Sequence, residues 1–239
     1  MWFSTAAGIG RMTAGGLVAT YASPSGSSSV FVCLGPDGHI WSSEGNAVAR
    51  WRDTSRSITS VEELASGFAP ASLRASQGSV LRWTAVSGDG LEVVDAAGIV
   101  PASAGVTPPG SSVSATLSAA SSYTFNDPRH AGRQSLVRVS ATVLPGAGST
   151  ATSFTVTWAS ATAMSGTGED VQVAWCATAS CVRTFATWIA DSPATQGSFA
   201  AGNPDWHGAG TYTFRARLVG SVGAVSEAWS PVTAVTVSP

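Results

Sequence analysis

A few short runs bring together side chains able to do chemistry. Asp205-Trp206-His207 sets a carboxylate, an indole and an imidazole side by side. With Trp188 not far upstream, the group could hold a sugar, an indole lying on the pyranose face while Asp205 accepts hydroxyl hydrogen bonds, or it could hold a metal ion. A polar loop anchored by a buried tryptophan explains the same residues without any ligand. Asp127-Pro128-Arg129-His130 invites the same question and has an equally plain reading, a turn carrying a local ion pair. Cys176 and Cys181 stand close enough to face each other across a hairpin. They would form either a cross-strand disulfide or two buried small apolar groups, and a loop so short gains little closure entropy from a bridge. Cys33 reads as core.

Arg50-Trp51-Arg52 and Arg82-Trp83 pair guanidinium with indole, the residue types that make cation–π contacts and anchor protein interfaces. With so little charge elsewhere, both runs read as interface. Beyond these the chemistry thins out. His39, His130 and His207 are scattered, none at ligand spacing from another. Glycoside hydrolysis needs two carboxyls about 5–9 Å apart, a separation that spacing alone does not set; Glu62-Glu63 reads as ordinary charge at a helix start. No nucleophile elbow or phosphate loop stands between a strand and a helix. No catalytic group, cofactor or metal is expected.

The composition points the same way. Of 239 residues, 44% are apolar and only 11% charged, against about 25% charged in ordinary globular proteins. The net charge is −2, and every basic residue other than histidine is arginine. Nucleic-acid binding needs a dense cationic surface that this chain lacks. Nine Trp and eight Phe supply material for packed cores. No stretch approaches the roughly 18 apolar residues of a membrane span. The opening Met1-Trp2-Phe3-Ser4 has no cationic region ahead of an apolar one, and reads as the start of a chain made in a cytosol without a secretory signal.

Elements to position these residues are strands almost throughout, and the expected class is all-β. Only Ser57 to Phe68, with Val61, Leu64, Ala65 and Phe68 at helical spacing, reads as a short helix. Asp37-Gly38 and Asp89-Gly90 each close an apparent hairpin, since glycine accepts the positive φ of primed turns. These hairpins belong to an N-terminal β-rich docking domain over 1–100. Residues 101–133 concentrate Pro, Gly and Ser and read as a linker or arm. From 134 to 239, apolar and aromatic residues alternate with Thr, Ser and Arg at period two, the pattern of a sandwich.

Phe154-Thr155-Val156-Thr157-Trp158, the run Gly210 to Leu218 around Tyr212, and Ala228-Trp229-Ser230-Pro231 resemble fibronectin type III and related immunoglobulin-like domains. The resemblance implies a β-sandwich with Tyr212 at the tyrosine-corner position, and a spacer or adhesive module. The long segment Thr187 to Gly208 and the paired cysteines depart from that family. The whole chain looks like a structural protein of a bacteriophage particle: tail, fibre, baseplate or head decoration. That likeness implies synthesis in the host cytoplasm and a place in the virion. Partners would be other virion proteins and copies of the chain, with a cell-surface glycan as the alternative partner of an adhesive module.

Overall fold

The computed structural model describes residues 2–6, 8–12, 18–22, 29–34, 40–45, 47–51, 58–86, 88–162, 166–177, 181, 184–220 and 225–239. These residues are all-β and contain no helix. The chain divides into two compact units, Met1–Arg56 and Ser57–Pro239.

The first unit holds β1 (Trp2–Thr5), β2 (Gly8–Met12), β3 (Val18–Ala22), β4 (Ser29–Leu34), β5 (Ile40–Glu44) and β6 (Ala47–Trp51). They form two three-stranded antiparallel sheets in chain order, β1-β2-β3 and β4-β5-β6. Ile40, Ser42 and Glu44 alternate inward along β5. Cys33, expected in the core, is an exposed free thiol. The turn at Asp37-Gly38 lies outside the described residues.

The second unit opens with β7 (Ile58–Leu64), β8 (Gly67–Ala69), β9 (Ser72–Ala75), β10 (Ser79–Ala85), β11 (Val94–Asp95), β12 (Ser112–Leu117), β13 (Ser121–Asn126) and β14 (Gln134–Val139). Two four-stranded sheets, β12-β10-β7-β8 and β11-β13-β14-β9, enclose one core. Leu81, Trp83 and Ala85 face it from β10, and Tyr123 and Phe125 from β13. Trp83 and Phe125 meet edge to face with centroids 4.6 Å apart, a geometry aromatic rings favour.

This first sandwich overturns four expectations. The stretch expected as a helix over Ser57–Phe68 is, from Ile58 on, the β7–β8 hairpin, and Ser57 lies outside the described residues. Val61 and Glu63 point inward while Glu62 is exposed, a period of two that overrides the helical spacing, and Gly67 takes the positive φ of the turn. The second hairpin does not form either. β10 pairs with β12 and β7, while Val94–Asp95 joins β13 in the opposite sheet. Asp89-Gly90 therefore carries the chain between sheets. Residues 101–133 are no linker. They include β12, β13 and the core side chains Leu117, Ala119, Tyr123 and Phe125. Thr107 exchanges backbone hydrogen bonds with Leu91, and Gly110 bonds to Ala85. Pro, Gly and Ser mark an irregular crossover as readily as a tether. The boundary accordingly falls at Arg56/Ser57, not near residue 100. Gly90 sits at φ 73°, and a Cβ there would lie 2.8 Å from the Thr107 carbonyl oxygen. Gly90→Ala should cost about 1–3 kcal/mol, read as a lowered urea midpoint.

The rest of the unit is β15 (Thr142–Leu144), β16 (Ala147–Ser149), β17 (Phe154–Thr157), β18 (Thr167–Cys176), β19 (Ala186–Ser192), β20 (Gln196–Phe199), β21 (Gly210–Gly220) and β22 (Thr233–Ser238). The sheets β15-β17-β20 and β16-β22-β21-β18-β19 form a second sandwich. Its core takes Phe154, Val156, Trp158, Phe199, Tyr212 and Phe214. The alternating run Val137 to Val143 serves both bodies. Val137 and Val139 enter the first core, and Ala141 and Val143 enter the second. The second sandwich therefore starts at β15, eight residues beyond the expected boundary at 134.

The two sandwiches repeat the same devices. In each, a short early strand runs parallel to the last one, β9 beside β14 and β16 beside β22. In each, a tyrosine hydroxyl reaches back four residues, Tyr123 to the Ala119 carbonyl at 2.7 Å and Tyr212 to the Gly208 carbonyl at 3.0 Å. The Tyr212 oxygen also accepts the His207 N–H at 2.7 Å. Tyr212→Phe should destabilise by about 1 kcal/mol, visible as a small drop in the thermal midpoint with the fold retained.

Candidate functional site

Glu63, Asp127 and His130 place one ligand atom each within 4.8 Å of one another, at the end of the first sandwich where β7 and β13 finish. Three such groups could serve a metal ion. The arrangement around them is instead that of a closed ion network. The Arg133 guanidinium pairs with buried Glu63, approaches Asp127 to 4.0 Å, and donates to the Ala65 carbonyl at 3.2 Å. His130 Nδ1 lies 2.7 Å from Asp127 Oδ2, and the Arg129 N–H donates to Asp127 Oδ1 at 3.0 Å. A guanidinium already stands where a cation would be needed. The Asp127–His130 run is a turn with a local ion pair, and Glu63–Arg133 is the long-range pair that sequence spacing did not show.

The indoles considered for glycan contact, Trp188 and Trp206, are half-buried and pack against the second core. Trp206 stacks on Tyr212 with centroids 5.2 Å apart and packs on Phe154 and Phe199. Trp188 meets Trp158, Phe199 and Phe214. The Asp205 N–H bonds to Asn203 Oδ1 within the loop, and His207 leans on the Trp175 ring. Cys176 and Cys181 form a disulfide.

Of the interface candidates, Arg82 and Trp83 point to opposite sides of β10, Arg82 exposed and Trp83 fully buried. Trp83 is therefore core and makes no pair with its neighbour. Arg50 and Trp51 lie on β6, with side chains outside the description, and Arg52 is outside the described residues. Among the described residues an arginine–aromatic cluster lies on the outer face of β21. Arg215 covers Phe185 at 3.9 Å and Trp229 at 4.6 Å, and Arg217 covers Trp229 at 4.5 Å. Gln172 and Asp170 bind the same guanidinium groups. Alternation placed both arginines outward; their shared partner Trp229 comes from the loop after β21.

Where the two sandwiches meet, main-chain bonds cross directly. The Ala120 N–H donates to the Trp158 carbonyl at 2.7 Å, the Ser122 N–H to Ala228 at 2.9 Å, and the Leu218 N–H to Ser121 Oγ at 2.7 Å. Gln77 Nε2 reaches the carbonyls of Ser140 and Thr157, both at 3.0 Å. Buried carboxyls gather at this junction. Asp95 Oδ2 accepts the N–H groups of Ile99 and Val100 at 2.8 and 2.9 Å, and Glu227 hydrogen-bonds to Asp95. Burial, and then the Asp95 charge, push Glu227 up to about 9. Burial, with Asp170 adding to it, pushes Glu169 to about 9 as well. Tyr123 is raised well above its usual value by burial and by both glutamates. The open hollow nearby, lined by Ala97, Gly98, Ile99, Gly166 and Val225 among others, has no ionisable side chain among the described residues of its wall.

No protein-family model matches the chain, and no curated protein resembles it significantly.

Proposed function

We propose that the chain is a non-enzymatic structural component of a bacteriophage particle, in the tail, fibre, baseplate or head decoration, and that it assembles through neutral protein–protein contacts. The observation that carries this reading is the junction in Ser57–Pro239. Two repeated sandwiches are bolted together by crossing main-chain bonds and a shared interior, which suits a stiff spacer rather than a pair of hinged lobes around a cleft. Low surface charge lets copies approach without repulsion. The Arg133 network ties Glu63 and Asp127 into the first sandwich, and no described acid opens onto a cleft. The disulfide suits a protein that works outside a reducing cytosol.

Immunogold labelling tests the proposal, with antibody to the full chain applied to purified phage particles from the strain encoding it. Gold at one position on the particle is expected. Unlabelled particles, with all antigen in the soluble fraction, would overturn the reading.

A further inference from the structure

The joint between the two sandwiches is lined by acids. Glu169 sits directly opposite Leu218 across the β18–β21 pair, and directly opposed residues share a face. Leu218 enters the first core, so Glu169 points from the second sandwich toward the first. Glu227, whose N–H bonds to the Leu218 carbonyl, reaches the same seam from the segment after β21. The two are 1% and 4% exposed. Asp95 of β11 faces Glu227 from the first sandwich, and Tyr123 of β13 feels the charge of both glutamates. Asp170, beside Glu169, is taken by Arg217.

Nothing at this seam offsets a negative charge. No described donor reaches Glu169 Oε2 or Glu227 Oε1, and among the described residues neither acid has a cationic partner. A carboxyl taken out of water with no donor keeps its proton. Asp95 Oδ2 already accepts the N–H groups of Ile99 and Val100, so Glu227 is the donor in its hydrogen bond to Asp95. That bond runs from the second sandwich to the first and exists only while Glu227 is protonated. In the folded chain both glutamates hold their protons up to about pH 9. Above that the bond turns into repulsion between two buried charges, and Glu169 adds a third at the same seam.

We propose that the joint is a proton-held clamp: protonated Glu169 and Glu227 let the two sandwiches close on each other, and loss of those protons lets them part while each keeps its own fold. The inference adds to the stiff-spacer reading a condition under which the spacer loosens, and the labelling result does not bear on it. Urea unfolding of the full chain is compared at pH 7 and pH 9.5, with Trp83→Phe and Trp158→Phe backgrounds distinguishing the two sandwiches by fluorescence. At pH 7 both should unfold at one midpoint, and at pH 9.5 at two. A general loss of stability would lower both midpoints together and keep them equal. The double variant Glu169→Gln with Glu227→Gln, which has no proton to lose, should keep one midpoint at both pH values. Wild type whose midpoints do not separate between pH 7 and pH 9.5, or a double variant that splits as wild type does, would overturn the clamp. Should the double variant not fold, infrared spectroscopy of wild type decides. The carbonyl band of protonated carboxyl groups should be present at pH 7 and lost between pH 8 and pH 10, and a spectrum without it at pH 7 would overturn the proposal.

Discussion

Truncating Leu218 to alanine should cost the Ser57–Pro239 unit about 2–5 kcal/mol and split one unfolding transition into two. Leu218 belongs to β21 of the second sandwich, yet its side chain is 5% exposed within the core of the first. Its N–H donates to Ser121 Oγ, and its carbonyl accepts the Glu227 N–H. One residue thus fills the first core from a strand of the second sandwich and ties their main chains together. Removing the side chain opens a cavity at the contact on which shared cooperativity depends. Trp83 reports the first core and Trp158 the second, so fluorescence of Trp83→Phe and Trp158→Phe backgrounds can follow each sandwich through a urea titration. Coincident transitions in Leu218→Ala, at the wild-type midpoint, would show the sandwiches to be coupled by other means.

Replacing Glu169 or Glu227 by glutamine should stabilise the protein at neutral pH, increasingly so as pH rises. Each carboxyl has its pKa raised from 4.5 to about 9 in the folded chain. Between those values the folded state holds a proton that the unfolded state has released, so stability falls with rising pH. The loss is about 1.4 kcal/mol per pH unit per group, about 3 kcal/mol at pH 7 and about 6 at pH 9 and above. Below pH 4.5 both states are protonated and the penalty disappears. Glutamine removes the titration and, at 227, still donates to Asp95. Urea midpoints from pH 4 to pH 10 should diverge between wild type and each variant above pH 5. Parallel profiles would contradict the assignment of these buried acids.

Sequence pattern revealed the second sandwich far better than the first, for physical reasons. In β17, β21 and β22, aromatic and aliphatic residues alternate cleanly with Thr, Ser and Arg, because one face of each strand is solvated. In β7 the inward position 63 is a glutamate, held there by Arg133, 70 residues further along the chain. A buried charge whose partner is distant in sequence disguises a strand as a helix start. The crossover around Pro108-Pro109-Gly110 has linker composition because it changes sheets, and its hydrogen bonds to Leu91 and Ala85 are long-range. Alternation also says which side of a strand is inward without saying which core receives it, so Leu218 and the run Val137 to Val143 looked ordinary. Trp206, between Asp and His, is legible in sequence only as a loop residue; its packing on Tyr212 and Phe154 comes from partners distant in the pattern.

If neutral surfaces exist here to meet other copies, the native mass of the purified full chain is the most direct test. Size-exclusion with multi-angle light scattering at micromolar concentration should return a fixed small multiple of 24.1 kDa. A mass of one chain, unchanged as concentration rises, would contradict the account.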